Sequence, residues 1–111
     1  MIKNILTASG LPYRQGWFPS MPAESCVVYT DDVEVDGPDR VAPATAAGLP
    51  CIYHHDVRLE LYAIQADPAA EAALEAQIVA TGLTFVRYDR EWLRDVKRYV
   101  TVYELTYTTK T

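Results

Sequence analysis

The segment from Ile52 to Gln65 limits the possible folds more than any other part of the sequence. Apolar side chains occupy every second position of its later part: Val57, Leu59, Leu61 and Ala63. The positions between them carry Arg58, Glu60 and Tyr62. Side chains of a strand alternate between two faces, so this pattern predicts a strand with one buried and one partly polar face. Such a strand is typical of an antiparallel sheet.

A short helix is predicted at the N-terminus. Three apolar side chains recur there at helical spacing: Ile2, Ile5 and Leu6. The helix should end at SGLP, because Gly10 can adopt the left-handed conformation of a C-terminal cap and Pro12 prevents continuation. Residues 13–25 contain proline, glycine and aromatic residues. We interpret them as an ordered loop held in place by Trp17 and Phe18.

A second helix is predicted directly after the long strand. Asp67 can cap its N-terminus, and Pro68 suits the first helical position. The continuation, AAEAALEAQIVAT, has an apolar stripe with two central and two flanking residues: Leu74 and Ile78, then Ala70 and Thr81. Gly82 should end this helix.

Three further runs of β-branched and aromatic residues predict strands: residues 26–30 (CVVYT), 84–88 (TFVRY) and 98–108 (RYVTVYELTYT). REWLRDVK, between the last two runs, predicts a turn or a short irregular segment. In the last run, Val100 and Val102 alternate with Tyr99, Thr101, Tyr103, Leu105 and Tyr107, so both faces are occupied. We expect this of a central strand, or of one whose second face meets another subunit.

The element order α-β-β-α-β-β predicts an α+β fold. We expect a single domain covering residues 1–111, because a chain of this length can form one hydrophobic core. We expect a mostly antiparallel sheet of about four strands with two helices packed on one face. Residues 31–50, acidic at first and then rich in Pro and Ala, are predicted to form a long flexible loop or ribbon.

The acidic run TDDVEVDGPDR resembles the opening of an EF-hand calcium loop. If Asp32 is the first position, Gly37 correctly occupies the sixth. The twelfth position should be a glutamate, however, and it is Pro43. Helices should also flank the loop, whereas CVVYT precedes it and a proline-rich stretch follows. We therefore expect a strand that continues into an acidic, solvated loop.

Other metal and catalytic sites have little support in the sequence. Cys51, His54 and His55, with Cys26 from the neighbouring strand, form a possible zinc set, although Cys26 lacks a ligand partner two to four residues away. His54 and His55 should point to opposite faces of a strand. For the same reason Cys51 and His54 do not suit nucleophilic catalysis, since alternation separates their side chains.

Exposed carboxylates are the remaining catalytic candidates: Asp31, Asp32, Glu34 and Glu60. No burial is predicted that would shift their pKa values toward acid–base work. There is also no Gly-rich phosphate loop. We therefore expect no enzymatic activity, no cofactor and no bound metal.

Charge and cysteine content limit the class of protein further. The formal net charge of −5 argues against a nucleic-acid binder, although an acidic protein can stand beside DNA that passes without sticking. No run approaches membrane-spanning length and no signal peptide is evident. We expect an intracellular, reduced location in which Cys26 and Cys51 behave as small hydrophobic residues.

The tyrosine content favours an assembly protein. The chain has eight tyrosines, several on predicted polar faces, namely Tyr62, Tyr103 and Tyr107. Tyrosine is enriched at protein interfaces because it supplies contact area at a low cost in entropy. The alternative interpretation is an ordinary amphipathic sheet surface.

The whole chain resembles small tail-completion proteins, the tail terminators of long-tailed phages and prophages. The elements that carry this resemblance, in order, are Gly10-Leu11-Pro12, Tyr29, Glu60-Leu61-Tyr62, Asp67-Pro68, Gly82 and the strand from Tyr99 to Tyr107. Each element is short, so the resemblance depends on their order. Two features depart from the pattern: Cys26 replaces a common Pro-aromatic pair, and residues 36–50 are unusually rich in Pro and Ala.

The resemblance implies a subunit of a six-membered ring that caps the tail tube, stops its polymerisation and presents a surface to the head connector. Its partners would be other copies of itself, the tail tube protein and the connector protein. Sheets would join side by side, and DNA would pass through an acidic lumen. The protein would lie at the head-proximal end of the virion tail after assembly in the host cytoplasm. From the length and charge of the loop at residues 36–50, we further expect it to reach the tube or the connector.

Two alternatives remain open at this point. One is a head-side connector or stopper ring, and the other is a small metal-binding or enzymatic domain built on Cys51, His54 and His55. For the ring, the candidate partner and subunit interface comprises the acidic run and part of the sheet surface: Asp31, Asp32, Glu34, Asp36, Arg58, Glu60, Tyr62, Tyr103 and Tyr107.

Overall fold

A computed structural model describes residues 1–36 and 52–110, which form an α+β fold of two helices and a six-stranded sheet. The helices are α1 (Ile2–Ser9) and α2 (Pro68–Ala80). The strands are β1 (Tyr13–Gln15), β2 (Cys26–Asp36), β3 (Ile52–Ala63), β4 (Val86–Arg87), β5 (Glu91–Leu93) and β6 (Arg98–Lys110). Neither helix is long and apolar enough to cross a membrane.

The three long strands form the centre of the sheet. The strand order is β1-β2-β3-β6-β4, and β5 pairs with another part of β6. All pairs are antiparallel except β1 with β2, which is parallel. The predicted antiparallel sheet is therefore present, with six strands instead of about four. The two unexpected strands, β1 and β5, have only three residues each, too few for alternation to reveal them.

Strands β3 and β6 bear out the alternation in the sequence. Leu59 and Leu61 are buried on the helix side, whereas Arg58 points to the other face and is exposed. Leu59 lies opposite Tyr103 in a continuous register of pairs between the two strands. Strand β6 lies between β3 on one side and β4 and β5 on the other, which confirms the prediction of a central strand.

Helix α1 forms and ends as its sequence predicts. Its three apolar residues are buried: Ile2, Ile5 and Leu6. Gly10 has a φ of 78°, the left-handed conformation of a C-terminal cap, and its amide donates to the carbonyl of Thr7. The hydroxyl of Ser9 donates to the carbonyl of Leu6 at 2.6 Å, which satisfies another terminal acceptor.

Helix α2 confirms the predicted cap but corrects its buried face. The side chain of Asp67 accepts from the amide of Ala70 at 3.0 Å and from the hydroxyl of Ser25 at 2.6 Å. Leu74 and Ile78 are fully buried, as expected, together with Ala70. The other predicted flanking residue, Thr81, is exposed. Glu71, which was not assigned to the buried stripe, is buried.

The segment between α1 and β2 is only partly the loop that we expected. Its first three residues form β1, and the amide of Gly16 donates to the carbonyl of Tyr29 at the end of that pairing. Phe18 packs against the core on the second face of the sheet. Trp17 is about half exposed, and its ring meets the ring of Tyr62 edge-on at 5.4 Å.

The acidic run is strand rather than loop as far as the structure describes it. Strand β2 continues from the predicted end at Thr30 to Asp36, in unbroken register with β3. The loop expected from residue 31 is thus wrong for residues 31–36, which agree with the ribbon alternative. The rest of the predicted loop, residues 37–50, lies outside the described residues, and so does Cys51.

Two apolar clusters lie on opposite faces of the sheet. The larger one joins both helices to the helix side of β2, β3 and β6. The smaller one covers only one end of the second face and centres on Cys26, Val28, Tyr62 and Val100. Burial raises the pKa of the Cys26 thiol to about 11, so this cysteine behaves as a small hydrophobic residue, as predicted.

Candidate interaction surface

The three long strands extend past the helices and form a structure that we call the distal ribbon, residues 31–36, 52–56 and 106–110. Val33 and Val35 are on its helix side, yet their side chains are 48% and 50% exposed. The helices therefore do not cover this part of the sheet. The described molecule is accordingly elongated, with extents of 55 × 28 × 22 Å.

Both long edges of the distal ribbon lack a neighbouring strand within residues 1–36 and 52–110. On the β2 side, β1 ends opposite Tyr29. On the β6 side, β4 extends only to the position opposite Glu104. An uncovered strand edge presents unpaired amides and carbonyls that can add a strand from another chain.

The hydrogen bonds near β1 show which backbone groups of β2 face outward. The amide of Val27 donates to Pro12, and the carbonyl of Tyr29 accepts from Gly16, so both point away from β3. Because the register of β2 is unbroken, the alternation continues. The amides of Val33 and Val35 therefore face the open edge and take no part in the β3 ladder.

On the helix side of the distal ribbon, one histidine connects the three strands. The His55 Nδ1 atom lies 3.0 Å and 3.1 Å from the two carboxylate oxygens of Asp31 on β2. Its Nε2 atom lies 3.1 Å from the hydroxyl of Thr109 on β6, and its ring stacks on Tyr107 with centroids 4.3 Å apart. Since a carboxylate only accepts, Nδ1 carries the shared proton. His55 thus links all three strands.

The opposite side of the distal ribbon is polar and acidic. Asp32 on β2 lies directly opposite Asp56 on β3, and both are exposed. Arg58, the nearest cation on this face of β3, pairs with Glu60 at 3.3 Å and with Glu104 at 3.7 Å. An open groove of about 450 Å³ crosses this face between β2 and β4.

The structure divides the predicted interface residues between several places. Asp31 and Tyr107 lie on the helix side of the distal ribbon, whereas four others lie on the opposite face: Asp32, Glu34, Arg58 and Glu60. Asp36 ends β2, and its side chain lies outside the described residues. These positions still form one elongated region, although it has two faces.

The assignment of two tyrosines to the interface is corrected, because the chain itself buries them. Tyr62 is 4% exposed in the smaller cluster, and its burial raises the pKa of its hydroxyl to about 12. Tyr103 is completely buried under α2, and its hydroxyl donates to Glu75 at 2.8 Å. Burial and this bond to Glu75 raise the pKa of Tyr103 well above its ordinary value. Both tyrosines belong to the core.

The proposed four-ligand zinc set does not assemble. His54 and His55 point to opposite faces, as the alternation predicted. Cys26 pairs with Tyr62, eight residues beyond His54, which corresponds to roughly 26 Å along a strand. Among the described residues, no three acidic, histidine or cysteine side chains lie close enough together to hold a metal ion. Cys51 is not one of the described residues.

Sequence reasoning missed one buried charge cluster. The carboxylate of Glu71 accepts from Arg87 at 2.9 Å, from Arg90 at 2.9 Å and 2.7 Å, and from the Thr101 hydroxyl at 2.6 Å. The bonds from Arg90 are the largest cause that lowers the pKa of Glu71. The cluster fastens the β4–β5 connection to α2. The partners of Glu71 lie 16 to 30 residues after it in the sequence, so no local pattern reveals the cluster.

Comparison with known proteins adds little to these observations. No protein-family model matches the chain, and no curated protein matches it. Among solved structures, the chain is similar to a chain described as "Virion of native gene transfer agent (GTA) particle", with 17% identity and a TM-score of 0.49. The similarity covers 95% of this chain and 84% of that one. The sequence identity and the TM-score are both too low to assign a function.

Proposed function

We propose that this chain is the tail terminator of a long-tailed phage or prophage. Copies of the chain form a ring, six-membered in the family that it resembles, which caps the tail tube and stops its polymerisation. The ring also offers the attachment surface for the head connector. The protein acts as a structural subunit and not as an enzyme, and it belongs to the head-proximal end of the virion tail.

One observation carries this proposal: within residues 1–36 and 52–110, no strand pairs with either long edge of the distal ribbon. Val33 and Val35 direct their amides to one edge, and Thr106 and Thr108 are on the strand that forms the other. A monomer that works alone usually covers or interrupts such edges, because they add strands from other chains. Two open edges on one subunit suit a chain with a neighbour on each side, as a ring requires.

The order of elements supports the same function. The cap at Gly10, the Asp67-Pro68 helix start and the long closing strand β6 occur in the fold as the resemblance to tail terminators implies. The formal charge of −5 agrees with a ring through which DNA passes without specific binding. The partners in this proposal are further copies of the chain, the tail tube protein and the connector protein.

The test is electron microscopy of particles from a phage or prophage that lacks this chain. Headless tubes of uncontrolled length are the expected result, since nothing would stop polymerisation. Tails of normal length that fail to join heads would instead assign the chain to a head-side connector ring. Particles that look like wild type would contradict both functions.

A further inference from the structure

The acidic face of the distal ribbon contains a pair of carboxylates that no cation among residues 1–36 and 52–110 neutralises. Asp32 and Asp56 lie directly opposite each other on neighbouring strands, and like charges in that position destabilise a sheet. Neither carboxylate has a hydrogen bond or ion pair with any residue in the described ranges. Arg58, the closest cation on the strand, is already paired with Glu60 and Glu104.

The groove beside this pair is suited to a long cationic side chain. Its charged lining consists of three acids and one cation, Asp32, Asp56, Glu104 and Arg58, and its apolar lining includes Phe85 and Val86. Val86 is 57% exposed. Arginine and lysine cover apolar surface with their aliphatic stems while the charged group reaches an acceptor. The groove of about 450 Å³ offers both kinds of contact.

The complementary surface is the turn between β5 and β6, which we call the basic turn, residues 94–98. It carries three cations, Arg94, Lys97 and Arg98, and one acid, Asp95. Arg94 and Lys97 are exposed and form no ion pair among the residues that the structure describes. Lys97 has a φ of 52°, which places it at a tight reversal of the chain.

The basic turn is held firmly enough to act as a docking element. Val96 and Leu93 pack into the smaller apolar cluster beneath it. Trp92 meets Tyr99 edge-on at 4.9 Å across the β5–β6 pair. The backbone of the turn therefore has a defined position, which lowers the entropy lost on binding.

The basic turn cannot reach the groove of its own chain. Lys97 precedes one end of β6, while Thr106 in the groove is nine residues further along, or roughly 30 Å of strand. The two surfaces lie on one rigid sheet, so the distance between them is fixed. The basic turn of a second copy, in contrast, can bring such cations to Asp32 and Asp56.

We propose that the basic turn of one copy docks in the acidic groove of the next copy, with Arg94 and Lys97 directed at Asp32 and Asp56. This inference rests on the proposed ring and names its contact. The two surfaces differ, so the contact is heterologous and can close into a ring. It also staggers neighbouring copies along the strands, as closing a sheet into a barrel does. The acids of the ribbon thus face a neighbouring subunit instead of the DNA.

Charge reversal provides the test. We expect sedimentation velocity at low ionic strength to show self-association of the wild-type chain that weakens with added salt. Reversal of the turn (Arg94→Glu with Lys97→Glu) should weaken it at least about tenfold, and so should reversal of the groove (Asp32→Lys with Asp56→Lys). An equimolar mixture of the two variants should restore it, because each turn then meets a groove of opposite charge.

The matched control reverses two exposed cations elsewhere, Lys3→Glu with Arg14→Glu, which changes the net charge by the same amount. It should associate like the wild type. Equal losses in the control and the turn variant would overturn the contact, and so would a mixture that stays monomeric. A wild-type chain that remains monomeric at millimolar concentration would also overturn it.

The outcome is separable from that of the proposed function. Overlong tubes in particles without the chain, together with normal capping by the turn variant, would retain the terminator and reject this contact. Normal tubes without the chain, together with restored association in the mixture, would retain the contact and reject the terminator. A mixture of two variants can alternate only in an even-membered ring, so its largest species should be even-numbered.

Discussion

In the helix-covered half of the sheet, Leu59 and Tyr103 are fully buried, whereas in the distal ribbon Val33 and Val35 are about half exposed. The same three strands run through both regions, so backbone pairing is equally regular in each. What differs is the presence of a covering layer. The covered half supplies the stability of the domain, and the ribbon keeps edges and faces that another chain can cover.

The largest effect should come from a buried residue in the covered half. Leu59→Ala removes a completely buried side chain under the helices and should lower the free energy of unfolding by about 3 kcal/mol. Val33→Ala, the matched change in the distal ribbon, should cost less than about 1 kcal/mol because the side chain is half exposed. Urea unfolding measures both. Equal losses would remove the distinction between the two regions.

The next effect should come from the buried charge cluster. Glu71→Gln leaves Arg87, Arg90 and Thr101 with a weaker acceptor and should cost about 2 kcal/mol in the free energy of unfolding. Glu60→Gln, on the exposed side of the sheet, is the control and should cost much less. A loss as small as that of the control would show that the cluster does not hold the β4–β5 connection.

The same glutamate gives a dependence on pH. Because the pKa of Glu71 is lowered in the fold, the folded carboxyl binds fewer protons than the unfolded one in mild acid. Its stabilising contribution is complete above its ordinary pKa of 4.5 and is lost as the pH falls through its folded pKa. Between pH 6 and pH 3, the free energy of unfolding should therefore fall less with decreasing pH for Glu71→Gln than for wild type. Parallel curves would contradict this assignment.

A smaller and more local effect is expected within the distal ribbon. His55→Ala removes the contacts to Asp31, Thr109 and Tyr107, and should reduce the local stability of the ribbon by about 1 kcal/mol. Amide hydrogen exchange should accelerate for residues 53–57 while protection near Leu61 stays unchanged. Uniform acceleration in both places would mean that the ribbon and the covered half open together.

The smallest effect has the opposite sign. Asp56→Lys replaces a like-charge pair by an ion pair with Asp32 and should raise the free energy of unfolding by about 0.5 kcal/mol. The same variant should lose self-association, since the groove is then no longer acidic. Glu24→Lys, an equal charge change outside the sheet, is the control for both measurements. A destabilised Asp56→Lys chain would show that the two carboxylates do not repel each other.

The sequence predicted the elements whose signals are local. The alternation in β3, the cap at Gly10 and the Asp67-Pro68 start of α2 each act within a few residues, and the structure confirms all three. Strand β1 was missed because it is three residues long and forms only by pairing with β2. The end of β2 was misplaced because acidic residues favour a loop, yet the pairing with β3 continues through them.

The candidate surface was predicted less well than the fold for a physical reason. Alternation tells which residues share a face, but not which face the helices cover or how far they reach. Tyr103 was therefore assigned to a partner although α2 buries it, while Asp32 was named without Asp56, which lies directly opposite it. Contacts across strands depend on register, which a single sequence does not fix.

One measurement tests most directly whether the capping of tail tubes requires the open β2 edge of the distal ribbon. In a phage that lacks the chain, tail lengths would be measured after supplying either Val33→Pro or Val33→Ala. Proline removes the outward amide of residue 33 without removing a hydrogen bond to β3, whereas alanine retains that amide. The account predicts normal tail lengths with Val33→Ala and overlong tubes with Val33→Pro, whose fold should remain intact by circular dichroism. Normal lengths with both variants would contradict it.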